Sequence, residues 1–301
     1  MSESPDDIEV VEFFRSYFRP WQLVNADNSK TGMITGYYEP IIKGSRSKSI
    51  TYTWPIHGRP DDLVVSEAPA VANVGQRGRR LGDKIVPYYT RAEINAMGSA
   101  FNAPVLFWAQ EPVELFFMQV QGSGRIDLPD GTRARLGYAD RNGHPYQSIG
   151  KWLVDQGEMT VDKASMESIR AWAQAHPQRV KEMLNANASY IFFKELPNSD
   201  LGPVGALGVP LTEGRSIAVD PTSTPLGAPV FLATTHPLST KPLERLMLAQ
   251  DTGTAIKGGV RADFFWGLGP QAGQLAGKMR QKGQMWVLLP MGVTPSQALS
   301  R

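Results

Sequence analysis

The sequence contains no cysteine. That excludes disulfides, zinc thiolate centres and cysteine nucleophiles, while an oxidising compartment stays open because proteins there need not carry disulfides. No apolar run approaches the roughly 20 residues needed to span a bilayer, and the opening Met1-Ser2-Glu3-Ser4-Pro5-Asp6-Asp7 lacks the basic and apolar regions of a signal peptide. Net charge is also scarce: 31 basic against 29 acidic residues leave +2, too weak a field to argue for nucleic acid as a partner. Internal repeats and low-complexity linkers are missing. A second domain is therefore expected to enter through surface loops, with candidate boundaries near Gly44 and Asn187. The histidines, His57, His144, His176 and His236, form no ligand motif with the aspartates, and the aspartate spacing is not that of an EF-hand. No metal site and no cofactor are expected.

What remains is the composition of a folded protein, with 42% hydrophobic and 20% charged residues over 301 positions. Val10, Phe13, Phe14, Tyr17 and Phe18 recur at helical spacing, which predicts a helix over 7–18 capped near Asp6 or Asp7. Short β-branched and aromatic runs at 32–38, 50–54, 104–109, 113–121 and 132–139, divided by Gly, Pro and Asp, predict strands of a barrel or sandwich. Residues 147–187 read as three short helices broken at Gly157 and Pro177, and strand patterns return after Tyr190. Gly75-Gln76-Arg77-Gly78-Arg79-Arg80 reads as a polar loop.

The chemistry centres on Asp251-Thr252-Gly253-Thr254, a carboxylate among turn formers after the apolar Leu246-Met247-Leu248-Ala249. D-T-G-T is also the signature of aspartic proteases, whose two carboxylates share a proton. A second D-T/S-G is absent, and the continuation Ala255 to Asp263 is foreign to them. Glycosidic cleavage is the other reading: two carboxylates commonly serve it, but one acid suffices when the sugar supplies its own nucleophile. Asp220, followed by Pro221, reads as a structural turn former. Aromatic and amide side chains suit sugar faces and hydroxyls.

Thr35-Gly36-Tyr37-Tyr38-Glu39-Pro40, Met118-Gln119-Val120-Gln121-Gly122-Ser123-Gly124, Ser148-Ile149-Gly150-Lys151, Asp251 to Gly258 and Asp263-Phe264-Phe265-Trp266-Gly267 together resemble the membrane-bound lytic murein transglycosylase A family. The resemblance spans nearly the whole chain. It implies a mainly β fold with some α: a double-psi β-barrel catalytic domain from 1–44 and 188–301, a second inserted β-barrel domain with helices over 45–187, and a groove between them. It implies cleavage of the β-1,4 bond between N-acetylmuramic acid and N-acetylglucosamine in peptidoglycan, leaving 1,6-anhydro ends, with Asp251 as the single acid and base. Asp263 is expected to support it. Tyr37, Tyr38, Gln119, Gln121, Ser123, Thr252, Gly253, Lys257 and Trp266 are the expected substrate-binding residues, with Asp220 structural. An acid at Asp251 needs a raised pKa, which a close ammonium would oppose, so Lys257 is expected to point away from it or to meet the sugar. Glycan strands are the expected partner, together with cell-wall synthases or scaffold proteins. The expected place is the periplasmic face of the bacterial outer membrane, reached through an N-terminal lipid anchor absent from this chain. A non-catalytic glycan-binding double-psi barrel is the alternative of a different class.

Overall fold

The computed structural model describes residues 7–65 and 77–296. It divides into two compact units, one of residues up to Tyr38 with those from Leu201 on, the other Glu39–Asp200. The boundaries were expected near Gly44 and Asn187. The strands Ile41–Ser45 and Ile191–Leu196 pair inside the second unit, with Gly124–Asp127 and Arg133–Arg141 respectively, and so draw the flanking residues into it.

In the first unit, six strands close on themselves in the order Gly32–Glu39, Arg280–Pro290, Pro229–Thr235, Pro242–Thr252, Ser216–Val219 and Ala262–Leu268, the last pairing back onto the first. Phe18–Gln22 adds a seventh strand beside Arg280–Pro290. Alternation sends Ile34, Ile217, Val219, Val230, Leu232, Met247, Ala249, Phe264 and Met285 into one core. The opening helix forms as Asp7–Tyr17, and its expected cap lies outside the described residues and side chains. No helix among the described residues is long and apolar enough to cross a membrane.

The second unit holds a six-stranded sheet in the order Ile191–Leu196, Arg133–Arg141, Gly124–Asp127, Ile41–Ser45, Val105–Ala109 and Trp54–His57, whose outer strands meet at the bridge between Gly58 and Phe193. The three helices expected between 147 and 187 are Ile149–Asp155, Met166–Ala175 and Val180–Asn185.

Three expectations are corrected. Residues 113–121 are a helix, Pro112–Gln121, not a strand. Its Val113, Phe116 and Phe117 enter one core cluster while Leu115 and Met118 enter another, and a helix buried on both sides loses the polar stripe by which it is recognised. Gly122 ends it at φ 82, the left-handed cap that glycine adopts at least cost. Of 50–54, only Trp54 is in a strand, Trp54–His57. The supposed loop is outside the described residues at Gly75 and Gln76, and then becomes the strand Arg77–Leu81, paired with Leu63–Val65 and Lys84–Pro87.

Candidate active site

Ser216–Val219 is the short central strand of the site. It pairs parallel with Pro242–Thr252 and antiparallel with Ala262–Leu268. Leu243, Met247 and Ala249 face the core, and unbroken alternation would turn Asp251 inward behind them. It does not, because the register shifts: Ile217 lies opposite Ala249 but Ala218 lies opposite Asp251, leaving Gln250 as an extra residue. Such an insertion re-aims the side chain beyond it. Ala218 also lies opposite Asp263. Asp251, Ala218 and Asp263 thus form one row on the face away from the barrel core, with only a methyl group between the carboxylates. Their Cα atoms are about 10 Å apart, two strand spacings.

Each Asp251 oxygen has its own partners. Oδ1 accepts the backbone amides of Thr252 and Ala206, both at 2.9 Å, and Oδ2 accepts the Tyr37 hydroxyl at 3.1 Å. The Ala206 amide is delivered by the turn Gly205-Ala206-Leu207-Gly208, held to the same strand where the Leu207 amide donates to the Gln250 carbonyl at 3.0 Å. Burial raises the Asp251 pKa above the ordinary value, against the lowering pull of those three donors. Burial is also the main cause that raises Asp263, to about 6, with the Asp251 charge adding to it and the Thr35 hydroxyl and Arg261 opposing. Thr35 Oγ1 donates to Asp263 Oδ1 at 2.5 Å. Thr35 and Tyr37 are two apart on Gly32–Glu39 and so share its face. The Tyr37 ring leans on Phe265 at 5.2 Å, and burial, then the charges of Asp251 and Asp263, keep its hydroxyl protonated far above the usual range.

Asp220 is buried and held by hydrogen bonds. Oδ1 accepts from the Thr222 amide and hydroxyl at 3.1 and 2.8 Å, and Oδ2 from the Gly258 amide at 2.9 Å. Burial pushes its pKa up, but these donors and Lys257 outweigh it and hold it below the usual carboxylate range. Lys257 Nζ lies 3.8 Å from Asp220, on an exposed side chain. Thr252 and Gly253 are half-buried beside Asp251, Thr252 giving it an amide.

Several expected sugar-binding side chains are committed elsewhere. Tyr38 is buried, its ring against Gly273. Gln119 is buried in the second unit, where Oε1 accepts from Arg91 at 2.7 Å and Nε2 donates to the Ile191 carbonyl at 3.2 Å. Neither side chain is presented to a ligand. Trp266 packs on Phe264 and the barrel core and donates to Met279 Sδ at 3.2 Å. Gln121 and Ser123 stay half-exposed around the Gly122 cap. Sequence reasoning missed Ala206, whose contribution is a backbone amide marked only by the flanking glycines, and Thr35, whose signal is its i, i+2 relation to Tyr37. No group of acidic or histidine side chains that could hold a metal ion occurs among the described residues.

Comparison with known proteins covers almost the whole chain. The MltA specific insert domain matches residues 33–194, and the 3D domain matches 215–289. The membrane-bound lytic murein transglycosylase A of Escherichia coli K12 is 38% identical over 275 residues, 89% of this chain and 68% of that protein. That of Vibrio cholerae is 30% identical over 92% of this chain and 70% of its own length. Among solved structures, MltA from Neisseria gonorrhoeae is 43% identical with a TM-score of 0.86, covering 97% of this chain and 81% of that one. E. coli MltA with bound chitohexaose is 32% identical with a TM-score of 0.74, covering 94% and 78%.

Proposed function

The chain belongs to the membrane-bound lytic murein transglycosylase A family and is a peptidoglycan lytic transglycosylase, and from that premise we propose that Asp251 alone carries both proton transfers, cutting the β-1,4 bond after N-acetylmuramic acid without water. The observation that carries this reading is the unequal loading of its two oxygens. A proton on Oδ1 would point at two backbone N–H donors, so the acid proton belongs on Oδ2. Oδ2–H passes its proton to the glycosidic oxygen as the C1–O bond breaks and the electron pair leaves with N-acetylglucosamine. Positive charge develops at the muramic C1. The muramic 6-hydroxyl then attacks C1 while Oδ2 accepts its proton, which forms the 1,6-anhydro ring and returns Asp251 to its acid form. An intramolecular nucleophile has a high effective concentration, which removes the need for an activated water.

The substrate is the peptidoglycan glycan strand; an E. coli relative of this family has been seen with bound chitohexaose. Gln121 and Ser123, half-exposed, remain binding candidates, as do Thr252 and Gly253 beside Asp251 and the exposed Lys257. The relatives are named as membrane-bound, and the periplasmic face of the outer membrane is the matching place for this chain. Digestion of purified sacculi with mass analysis of the muropeptides tests the reading. Anhydro ends are expected from the wild type and none from Asp251→Ala; ordinary reducing ends from the wild type would overturn it.

A further inference from the structure

Asp263 takes no proton in the reaction above, yet it lies in register with the residue that does. We infer that Asp263 is an electrostatic positioning residue for Asp251, its negative charge holding the acid proton on Asp251 and favouring the positive charge that forms at the sugar. This rests on the reading of Asp251 as acid and base.

The placement is built from three strands. The single register shift at Gln250 brings Asp251 beside Ala218, the residue that also faces Asp263. Had that strand kept its alternation, Asp251 would point to the opposite face from Asp263. Ala218 is buried and carries nothing polar, so no donor from the intervening strand separates the carboxylates. Thr35 anchors Asp263 Oδ1 at 2.5 Å, and Oδ2 has no hydrogen bond among the described residues. Tyr37 feels the charge of both carboxylates, and Arg261, just before Asp263's own strand, is the cation near Asp263. The motif's own ammonium is directed elsewhere: Lys257 lies by Asp220.

Two carboxylates so placed titrate as a pair. Burial raises both, Asp263 to about 6 with the charge of Asp251 contributing, so one proton is shared between them. The working form is the arrangement with that proton on Asp251 and the charge on Asp263, which the Thr35 hydroxyl and Arg261 favour. When Asp251 gives its proton to the glycosidic oxygen, both carboxylates are negative while the sugar becomes positive. The same field that resists ionisation of Asp251 alone favours ionisation coupled to cation formation. Burial of both groups keeps this field from being screened by water.

Asp263→Asn tests it, because the amide keeps the volume and can still accept from Thr35. A unit charge about 10 Å away at an effective dielectric near 20 corresponds to a factor of roughly 15. The variant should lose about that factor in kcat on soluble glycan oligomers with KM unchanged, and its alkaline limb should move to lower pH by about one unit. Thr35→Val, which leaves the carboxyl in place but removes a donor to its charged form, should move the limb slightly to higher pH, opposite in sign to Asp263→Asn. Asp263→Glu should recover part of kcat. A wild-type kcat and limb in Asp263→Asn, with Asp251→Ala inactive, would overturn this inference and leave the acid assignment intact; anhydro products from Asp251→Ala would overturn the assignment itself. Should Asp263→Asn not fold, carboxyl carbon NMR of the wild type decides: coupled two-step titration of Asp251 and Asp263 is expected, and independent single steps refute the pairing.

Discussion

On the reading of Asp251 as acid and base, unequal oxygens fix which of them handles the proton, and at Asp251 the backbone makes them unequal. Two amides fix Oδ1, which leaves Oδ2 and the Tyr37 hydroxyl to handle the proton. Tyr37 favours the ionised form, since its O–H donates to the charge that appears when the proton leaves. A hydrogen bond to a charged group is worth about 1.5–3 kcal/mol, so Tyr37→Phe should lower kcat by roughly ten- to a hundredfold. Loss of that donor raises the Asp251 pKa and should move the alkaline limb to higher pH, opposite in sign to Asp263→Asn. Rate–pH profiles of turbidity loss on sacculi read both directions. Asp220 belongs to a different class of aspartate: Asp220→Ala would strip acceptors from the Gly258 and Thr222 amides and should cost about 1–3 kcal/mol by urea denaturation. Its folded pKa lies below the ordinary 3.8. That stabilisation is therefore present above 3.8 and lost as pH falls through the folded value, so the variant should lose most stability near neutrality and little in acid.

At the scale of the elements, the sequence was legible where period and exposure agree. Strand alternation around Ile34, Ile217 and Phe264, and the three helices broken at Gly157 and Pro177, follow from local pattern. Pattern failed at Pro112–Gln121, which is buried against two core clusters, and at Gly269–Lys278, where glycine and proline obscure a helix. For the site, Asp251, Asp263 and Tyr37 were readable as motif members, whereas Tyr38 and Gln119 looked equally suited to sugars. Only tertiary packing separates them, because neighbours on one strand or helix differ in what covers them. Residue identity could not reveal the Ala206 amide or the extra residue at Gln250 either. The helix Gly269–Lys278 supplies a test of such packing. A Cβ on Gly273 would lie 2.8 Å from the Tyr38 ring, and overpacking of this kind costs about 1–3 kcal/mol. Gly273→Val should lower the midpoint of thermal unfolding, while Tyr38→Leu in the same chain should recover part of the loss; an unchanged midpoint in Gly273→Val would remove the close contact.

The whole chain consists of two units with separate cores, and their acid sensitivities should differ because one encloses a neutral histidine. His57 is buried in Glu39–Asp200, with Nδ1 2.8 Å from the Tyr190 hydroxyl and its ring edge-on to Phe101. Phe101 and Tyr190 belong to a buried apolar cluster with Leu63, Tyr88, Ile94 and Phe192. Burial lowers its pKa from the ordinary 6.5 to about 4. The folded unit must keep His57 neutral, whereas the unfolded chain binds a proton below 6.5. Its contribution is thus fully present above 6.5, declines as pH falls, and is gone near 4. A displacement of this size corresponds to about 3 kcal/mol, a large share of an ordinary domain's stability. Hydrogen exchange followed by mass spectrometry should show amides of Glu39–Asp200 losing protection between neutral pH and pH of about 4.5, ahead of the barrel strands. His57→Phe keeps an aromatic ring in the cluster and cannot titrate. Removing one of the Tyr190 hydroxyl's partners, with Gln119 remaining, should make the variant somewhat less stable at neutral pH, but its stability should fall less steeply towards acid. An equally steep fall in His57→Phe would assign the acid sensitivity to other groups, and loss of the barrel first would place it in the other unit.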